Sequence, residues 1–276
     1  MSNAILPSRR TDIECGSTQS ILDASAAKAR RTMSKRNDPA LAACAAIRHT
    51  SSMANQTQNS GAGQQRYIVF DNAFGSQHAA DLMAYATQRQ DDFSSAEVQL
   101  PTGGKPYFNP NERDCLKLRD LGPLESRFQT AINAFLPQVS HALGISSERL
   151  QPGEIELCAY GPGGHFHRHH DVLRRSRGTR ELTSVYYFGA EPRLFSGGEL
   201  RIHALNLPIG AYGDAPIDIE PVADRLIFFP SLLPHEVLEV RSPSPAWEAR
   251  RFSLTCWIWR MRDEDTAEAE RSSPSP

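Results

Sequence analysis

The segment Tyr160-Gly-Pro-Gly-Gly-His-Phe-His-Arg-His-His-Asp171 sets four histidines and one carboxylate into the seven positions from His165 to Asp171. Imidazole nitrogen and carboxylate oxygen are metal donors, and so dense a cluster points to metal chemistry first. In an extended strand, residues two apart share a face, so His169 and Asp171 can meet one ion while His170 points away. The same parity brings His165 and His167 to that face, and spacing alone leaves the choice open. A third ligand must come from a distant strand. His235 qualifies, because it follows the apolar run Arg225–Phe229 and a turn bounded by Pro230 and Pro234. Two imidazoles and a carboxylate suit iron(II) with three open positions, where chemistry takes place. A structural zinc would close its tetrahedron, usually with thiolates, and Cys158 stands one step out of strand parity for that.

The segment Arg251-Phe-Ser-Leu-Thr-Cys-Trp257 adds a second chemical demand. Alternation puts Arg251, Ser253, Thr255 and Trp257 on one face and Phe252, Leu254, Cys256 and Ile258 on the other. An arginine facing a barrel interior is costly unless it meets an anion, and a dicarboxylate gripped by its paired N–H donors is such an anion.

These side chains need a scaffold to bring them together. After Gln151 the chain reads as short strand-like runs broken by Gly, Pro and Asp: Glu154 to Tyr160, Phe166 to Val172, Glu181 to Phe188, Glu199 to His203, Arg225 to Phe229, His235 to Val240 and Arg251 to Arg260. Many short strands with turn signals between them mean a sandwich or barrel. Before them stand a strand, Tyr67 to Phe70, and two helices. Ala79, Leu82, Met83 and Ala86 recur at helical spacing within Ser76 to Gln90, with Ser76 as N-cap. Leu124, Phe128, Ile132, Phe135, Leu136, Val139 and Leu143 define the second helix, with Pro123 near its first position and Gly144 as its stop. Two helices preceding such strands pack on one outer face of a sheet, giving an α+β domain of about 200 residues.

The domain is expected to span residues 66–261, after a disordered polar arm over 1–65 and before a disordered acidic and Ser-Pro tail over 262–276. The 276 residues are 39% apolar, enough for a core, and 30 basic against 32 acidic residues leave a formal charge of -2. No whole-chain field therefore argues for nucleic acid or an anionic membrane. Five widely spaced cysteines with no Cys-x-x-Cys pair suit a reducing compartment such as the cytoplasm. Neither a signal-type apolar run near the N-terminus nor eighteen consecutive apolar residues occurs, so no membrane span is expected. Nothing in the sequence speaks to oligomeric state.

Ordered blocks then carry a resemblance. Tyr160 and Gly163 precede Phe166-x-x-His169-x-Asp171; Leu182-Thr-Ser-Val-Tyr-Tyr-Phe188, Gly197-Gly-Glu-Leu-Arg-Ile202 and Asp224-Arg-Leu-Ile-Phe-Phe229 follow; His235-Glu-Val and Arg251-Phe-Ser-Leu-Thr-x-Trp257 close the series. From about Tyr67 to Arg260 the chain resembles the prolyl 4-hydroxylase-like branch of the 2-oxoglutarate and Fe(II)-dependent dioxygenases, especially the oxygen-sensing prolyl hydroxylases and their bacterial relatives. That resemblance implies a double-stranded β-helix, a jelly-roll barrel with metal at its open mouth, and it selects His169 because Phe166 stands three residues earlier. It implies that Arg251 binds the distal carboxylate of 2-oxoglutarate, with Tyr187 and Thr255 as hydrogen-bond donors, Tyr160 lining the pocket and Leu200 as an apolar wall. No catalytic side chain beyond the metal ligands is implied.

The interval of sixteen positions from His235 to Arg251 exceeds the usual hairpin and leaves Arg250 or Arg241 as alternatives to Arg251. The activity implied is O2-dependent hydroxylation of an unactivated C–H bond, yielding succinate and CO2 from the cosubstrate, with ascorbate as an accompanying reductant. Asp171, a carboxylate rather than a small residue, favours hydroxylation over halogenation. The implied substrate is a prolyl residue in a protein or peptide, with a small molecule or free amino acid as the alternative. Two other readings compete. A cupin would begin with Gly161 and His167-x-His169 but needs a glutamate where Leu173 and Arg174 stand; a non-catalytic metal-binding barrel would keep the ligands without the chemistry. Substrate choice should lie around Pro101 to Arg113, Leu173 to Arg180 and Leu205 to Asp218. Within the second of these, Arg174, Arg175, Arg177 and Arg180 could meet an acidic substrate or form a solvated basic loop.

Overall fold

A computed structural model describes residues 55–56, 67–98, 105–207, 210–212 and 215–263. The expected arm over 1–65 thus lies outside the described residues apart from Asn55–Gln56, and the expected tail apart from residues 262–263. Parts of the regions 101–113 and 205–218 lie outside them too.

The labelled elements are β1 (Ile68–Asp71), α1 (Ser76–Gln88), β2 (Arg113–Asp114), β3 (Leu116–Leu118), α2 (Pro123–Leu143), β4 (Leu150–Tyr160), β5 (His165–His169), β6 (Gly178–Phe188), β7 (Leu200–Ile202), β8 (Ile217–Ile219), β9 (Arg225–Pro230), β10 (His235–Val237) and β11 (Arg251–Met261). The larger sheet runs β1-β9-β6-β11-β4-β3, extended by Asn55–Gln56 beyond β1 and by Ser94–Ser95 beyond β3. The smaller runs β8-β7-β10-β5-β2. Every pairing in both sheets is antiparallel.

Strand alternation divides the core. On one face of the larger sheet Phe70, Tyr186, Phe228, Leu254 and Ile258 are buried with Leu82 of α1 and Phe128, Ile132, Phe135 and Val139 of α2. Each such side chain contributes about 1.5–3 kcal/mol on leaving water. On the other face Val185, Tyr187, Ile227 and Phe229 pack against Leu200, Ile202 and Ile219 of the smaller sheet. Pro123 opens α2 and Gly144, at φ 66°, closes it in the left-handed conformation.

Ser76 is not the cap of α1. It is the first helical residue, Gly75 holds the cap position at φ 92°, and no side chain of that turn accepts a capping hydrogen bond. The anion comes from across the sheet instead, because the carboxylate of Asp224 accepts the backbone N–H groups of Phe74 and Gly75 at 2.9 and 2.7 Å. Two expected strands are also shorter than their sequence pattern: β5 stops at His169, before Asp171, and the run from His235 divides into β10 and a separate pair at Val240–Arg241. Among the described residues, no helix is long and apolar enough to cross a membrane.

Candidate metal centre and cosubstrate pocket

His169, Asp171 and His235 bring one ligand atom each to within 4.8 Å of one another. Register explains the two histidines: His235 on β10 stands opposite His169 on β5. Between that pair and the next, Val237 opposite Phe166, β5 spends one extra residue. The bulge puts Phe166 and His169 on the same side, their rings stacked with centroids 3.6 Å apart. Simple parity, which grouped His165 and His167 with His169, therefore fails. His165 spends both ring nitrogens on the backbone oxygens of Gly163 and Asn111, and His167 is exposed. Asp171 is placed by a loop rather than by strand alternation: its backbone N–H donates to Ser231 O at 3.0 Å, and Thr183 Oγ1 donates to its Oδ2 at 2.9 Å.

Both imidazoles point the same nitrogen inward. His169 Nδ1 meets His167 O at 2.8 Å and His235 Nδ1 meets Leu233 O at 2.9 Å, so each Nδ1 carries the proton and each Nε2 keeps a free lone pair. Those Nε2 atoms stand 3.7 and 3.4 Å from the two carboxylate oxygens of Asp171. Burial, then the neighbouring His235, pulls the His169 imidazole down to about 3. Burial opposes ionisation of Asp171, yet His235 and His169 outweigh it and hold the carboxyl well below its usual range. For His235 the attraction of Asp171 outweighs burial, and its value is raised. Two nitrogen donors and an ionised oxygen donor on one side of a cavity suit an octahedral iron(II) with open positions better than a closed thiolate site. Cys158, expected out of step, shares the inward face with Tyr160 on β4 but offers no donor to this cluster.

An inner cavity of about 60 Å³ joins the triad to Arg251, with Tyr160, Leu200, Ser253 and Thr255 in its wall. Arg251 is 1% exposed. Its guanidinium donates to Gly198 O at 2.8 Å, to Ser253 Oγ at 3.1 Å and to Tyr187 Oη at 3.2 Å, and lies over the Tyr160 and Tyr187 rings at 4.9 and 4.8 Å. Gly198 is required there, since at φ +69° an added Cβ would stand 3.0 Å from the Arg251 side chain. Arg250 instead lines a separate pocket with Asp114 and Gly161, and Arg241 is an exposed residue paired with Ser196. Three sides of Arg251 are thus satisfied, and the cavity supplies the fourth.

Outside this chamber opens a cleft of about 1000 Å³ that shares His169, Asp171, Phe166 and Trp257 with it. At the boundary sits a group that sequence reading missed: Glu156, held by Arg113 and, at 2.7 Å, by Lys117. Burial opposes its charge, but Arg113 and Lys117 prevail and hold it down at about 2. Parity on β4 would have aligned Glu156 with Tyr160; no sequence signal marks Arg113 or Thr183.

Residues 155–259 match the 2OG-Fe(II) oxygenase superfamily. The match takes in His169, Asp171, His235 and Arg251. An uncharacterised PKHD-type hydroxylase of Synechocystis sp. is 33% identical over 137 residues, 49% of this chain and 45% of that protein. The chain thus spans under half the length of that curated relative. A Pseudomonas putida prolyl-4-hydroxylase superimposes with a TM-score of 0.50 at 24% identity, over 71% of this chain and 93% of that one. A Trichoplax adhaerens prolyl hydroxylase, solved with a hypoxia inducible factor oxygen degradation domain peptide fragment, gives 0.51 at 19% identity over 75% and 87%. These likenesses show the fold, a jelly roll of mostly antiparallel sheets with few helices. That superfamily implies Fe(II) and 2-oxoglutarate, and the donor set of His169, Asp171 and His235 fits the iron.

Proposed function

We propose that this protein hydroxylates an unactivated C–H bond in a 2-oxoglutarate-, Fe(II)- and O2-dependent reaction, and that the bond belongs to a prolyl residue of a protein or peptide. The observation that carries the reading is one chamber lined at once by His169, Asp171, His235 and the buried Arg251. His169, Asp171 and His235 would hold the metal. Arg251 would grip the distal carboxylate of 2-oxoglutarate through the guanidinium edge left open to the cavity, with Thr255 beside it, Tyr187 orienting it and Tyr160 and Leu200 closing the walls. Iron held there would supply O2 activation, with 2-oxoglutarate as the reductant that would become succinate and CO2. The chain's own part is to orient: the Nδ1 hydrogen bonds fix both imidazoles, Thr183 fixes Asp171, and the β-sandwich excludes water. The likeness to prolyl hydroxylases supports the peptide substrate, and the free thiols Cys115, Cys158 and Cys256 suit a reducing compartment such as the cytoplasm.

The test uses anaerobically purified protein supplied with iron(II), ascorbate and 2-oxoglutarate, then O2, following succinate with and without prolyl peptides and free amino acids. Succinate formed by wild type but not by a His169→Ala, Asp171→Ala variant supports the reading, and the stimulating substrate class identifies the target. A wild type that binds neither iron nor 2-oxoglutarate in titrations would sink it in favour of a non-catalytic barrel.

A further inference from the structure

The outer cleft carries an uneven charge. Seven arginine and lysine side chains line it against four glutamates, Asp171 being set apart with the metal centre, whereas the whole chain is formally -2. Most of these cations are spoken for. Arg113 and Lys117 share Glu156, Arg177 and Arg180 share Glu154, and Arg119 meets Glu97. Glu112 is occupied by Tyr107 and Asn109. Arg168 and Arg175 have no carboxylate partner among the described residues, and both are exposed on the cleft wall. Arg168 immediately precedes His169, and Arg175 lies four residues after Asp171, in the hairpin leading into β6. The two unmatched guanidiniums therefore flank, along the chain, the residues where oxidation would occur.

Unmatched like charges in one cleft favour an anion there, and a guanidinium fork fits a carboxylate well. Trp257 and Trp259 hold Arg180 and Arg177 at 4.2 and 4.4 Å from their ring centroids, so these two cations of the same cleft are held in place. A nucleic-acid backbone needs a continuous run of open cations, and five of the seven here are already paired with glutamates.

We propose that the outer cleft selects acidic peptides, in which aspartate or glutamate side chains flanking the residue to be oxidised meet Arg168 and Arg175. This rests on the peptide-hydroxylase reading above. The test measures binding apart from turnover. Protein loaded with iron(II) and 2-oxoglutarate under anaerobic conditions is titrated with three labelled prolyl peptides, identical except for Asp, Asn or Lys flanks, and with a single-stranded oligonucleotide. The Asp peptide should bind about tenfold tighter than the Lys peptide at low salt, and the gap should close as salt is raised to about 0.5 M. An Arg168→Glu, Arg175→Glu variant should reverse the order, and an Arg168→Gln, Arg175→Gln variant should erase it. Equal affinities, no peptide binding, an order unmoved in both variants, or an oligonucleotide that displaces the Asp peptide would each overturn the proposal. O2 is then admitted. Charge-ordered binding without hydroxylation of any peptide would defeat the hydroxylase reading and leave the cleft's preference standing. Equal hydroxylation of all three peptides would do the reverse.

Discussion

Strands β6 and β11 turn alternate side chains toward the helices and toward the smaller sheet, and the polar groups of the site lie on the second face beside apolar ones such as Val185. Tyr186, Leu254 and Ile258 are buried with α1 and α2, whereas Thr183, Arg251 and Ser253 line the chamber and Tyr187 is bonded to Arg251. The helix side is held by area and shape, so a swap that conserves volume should cost under about 1.5 kcal/mol. The chamber side is held by specific donors and acceptors. Removing a partner there leaves a buried charge or dipole exposed to nothing, so the same small change has a far larger effect. A rigid apolar face thus serves as the backing against which a polar face is positioned.

The largest effects are expected at the polar face. Asp171→Ala should abolish stoichiometric iron binding and lower succinate formation by more than about 100-fold, since even outer partners of metal ligands cost 10–100-fold. Arg251→Gln should weaken 2-oxoglutarate binding by about 100-fold, roughly 3 kcal/mol for one partner of a desolvated charge pair. Titration of both variants by metal and by 2-oxoglutarate decides this; retained 2-oxoglutarate binding in Arg251→Gln would hand the role to another cation.

On the apolar face the expectation is opposite in kind. Phe128→Ala, beneath the larger sheet, should lower the unfolding free energy by about 3–5 kcal/mol through the cavity it leaves. Iron affinity of the protein that remains folded should stay close to wild type. Denaturant titration checks the first statement and iron titration below the transition the second. Iron binding lost in still-folded protein would mean that the two faces are not separable.

Glu156 lies on the chamber side but is a structural charge. Its folded value, about 2, lies below the ordinary 4.5. A depressed carboxyl stabilises the fold fully above the unfolded value and loses that contribution as pH falls through the folded one. Glu156→Gln would strand Arg113 and Lys117 and cost about 3 kcal/mol at neutral pH. The gap between wild type and variant should shrink as pH drops from about 4.5 toward 2, measured by denaturant unfolding across that range; a constant gap would sink this assignment.

How much of this was legible in the sequence follows the same division. The helix over Pro123–Leu143 could be read because its apolar repeat, opening proline and closing Gly144 agree. Alternation along Arg251–Ile258 also sorted the two faces correctly, because a long paired strand obeys a period of two. What alternation could not reach were departures from it. The bulge in β5 that turns His169 inward and His165 outward depends on β10, nearly seventy positions away. Asp224 caps α1 from about 150 residues downstream. Arg113 finds Glu156, 43 positions along the chain, also beyond any local pattern. Choosing His169 among four histidines needed the family resemblance, since local spacing did not separate them.

The finest test of the comparison is a change that conserves shape and removes one hydrogen bond. Thr183 is 1% exposed, and its hydroxyl bridges Asp171 Oδ2 and Ser231 Oγ, both at 2.9 Å. Thr183→Val keeps the volume, so packing against the chamber wall should survive, and the loss in stability should be about 1–2 kcal/mol. Asp171 would keep its backbone tie to Ser231 O but lose the donor that fixes its carboxylate plane. Iron affinity should fall by about tenfold, the lower end for a partner that orients a metal ligand, while 2-oxoglutarate affinity of the iron-loaded protein stays near wild type. Iron affinity unchanged in Thr183→Val would show that the backbone of the Asp171 loop alone sets the ligand, and the division between a forgiving apolar face and an exacting polar one would then rest on the charged groups only.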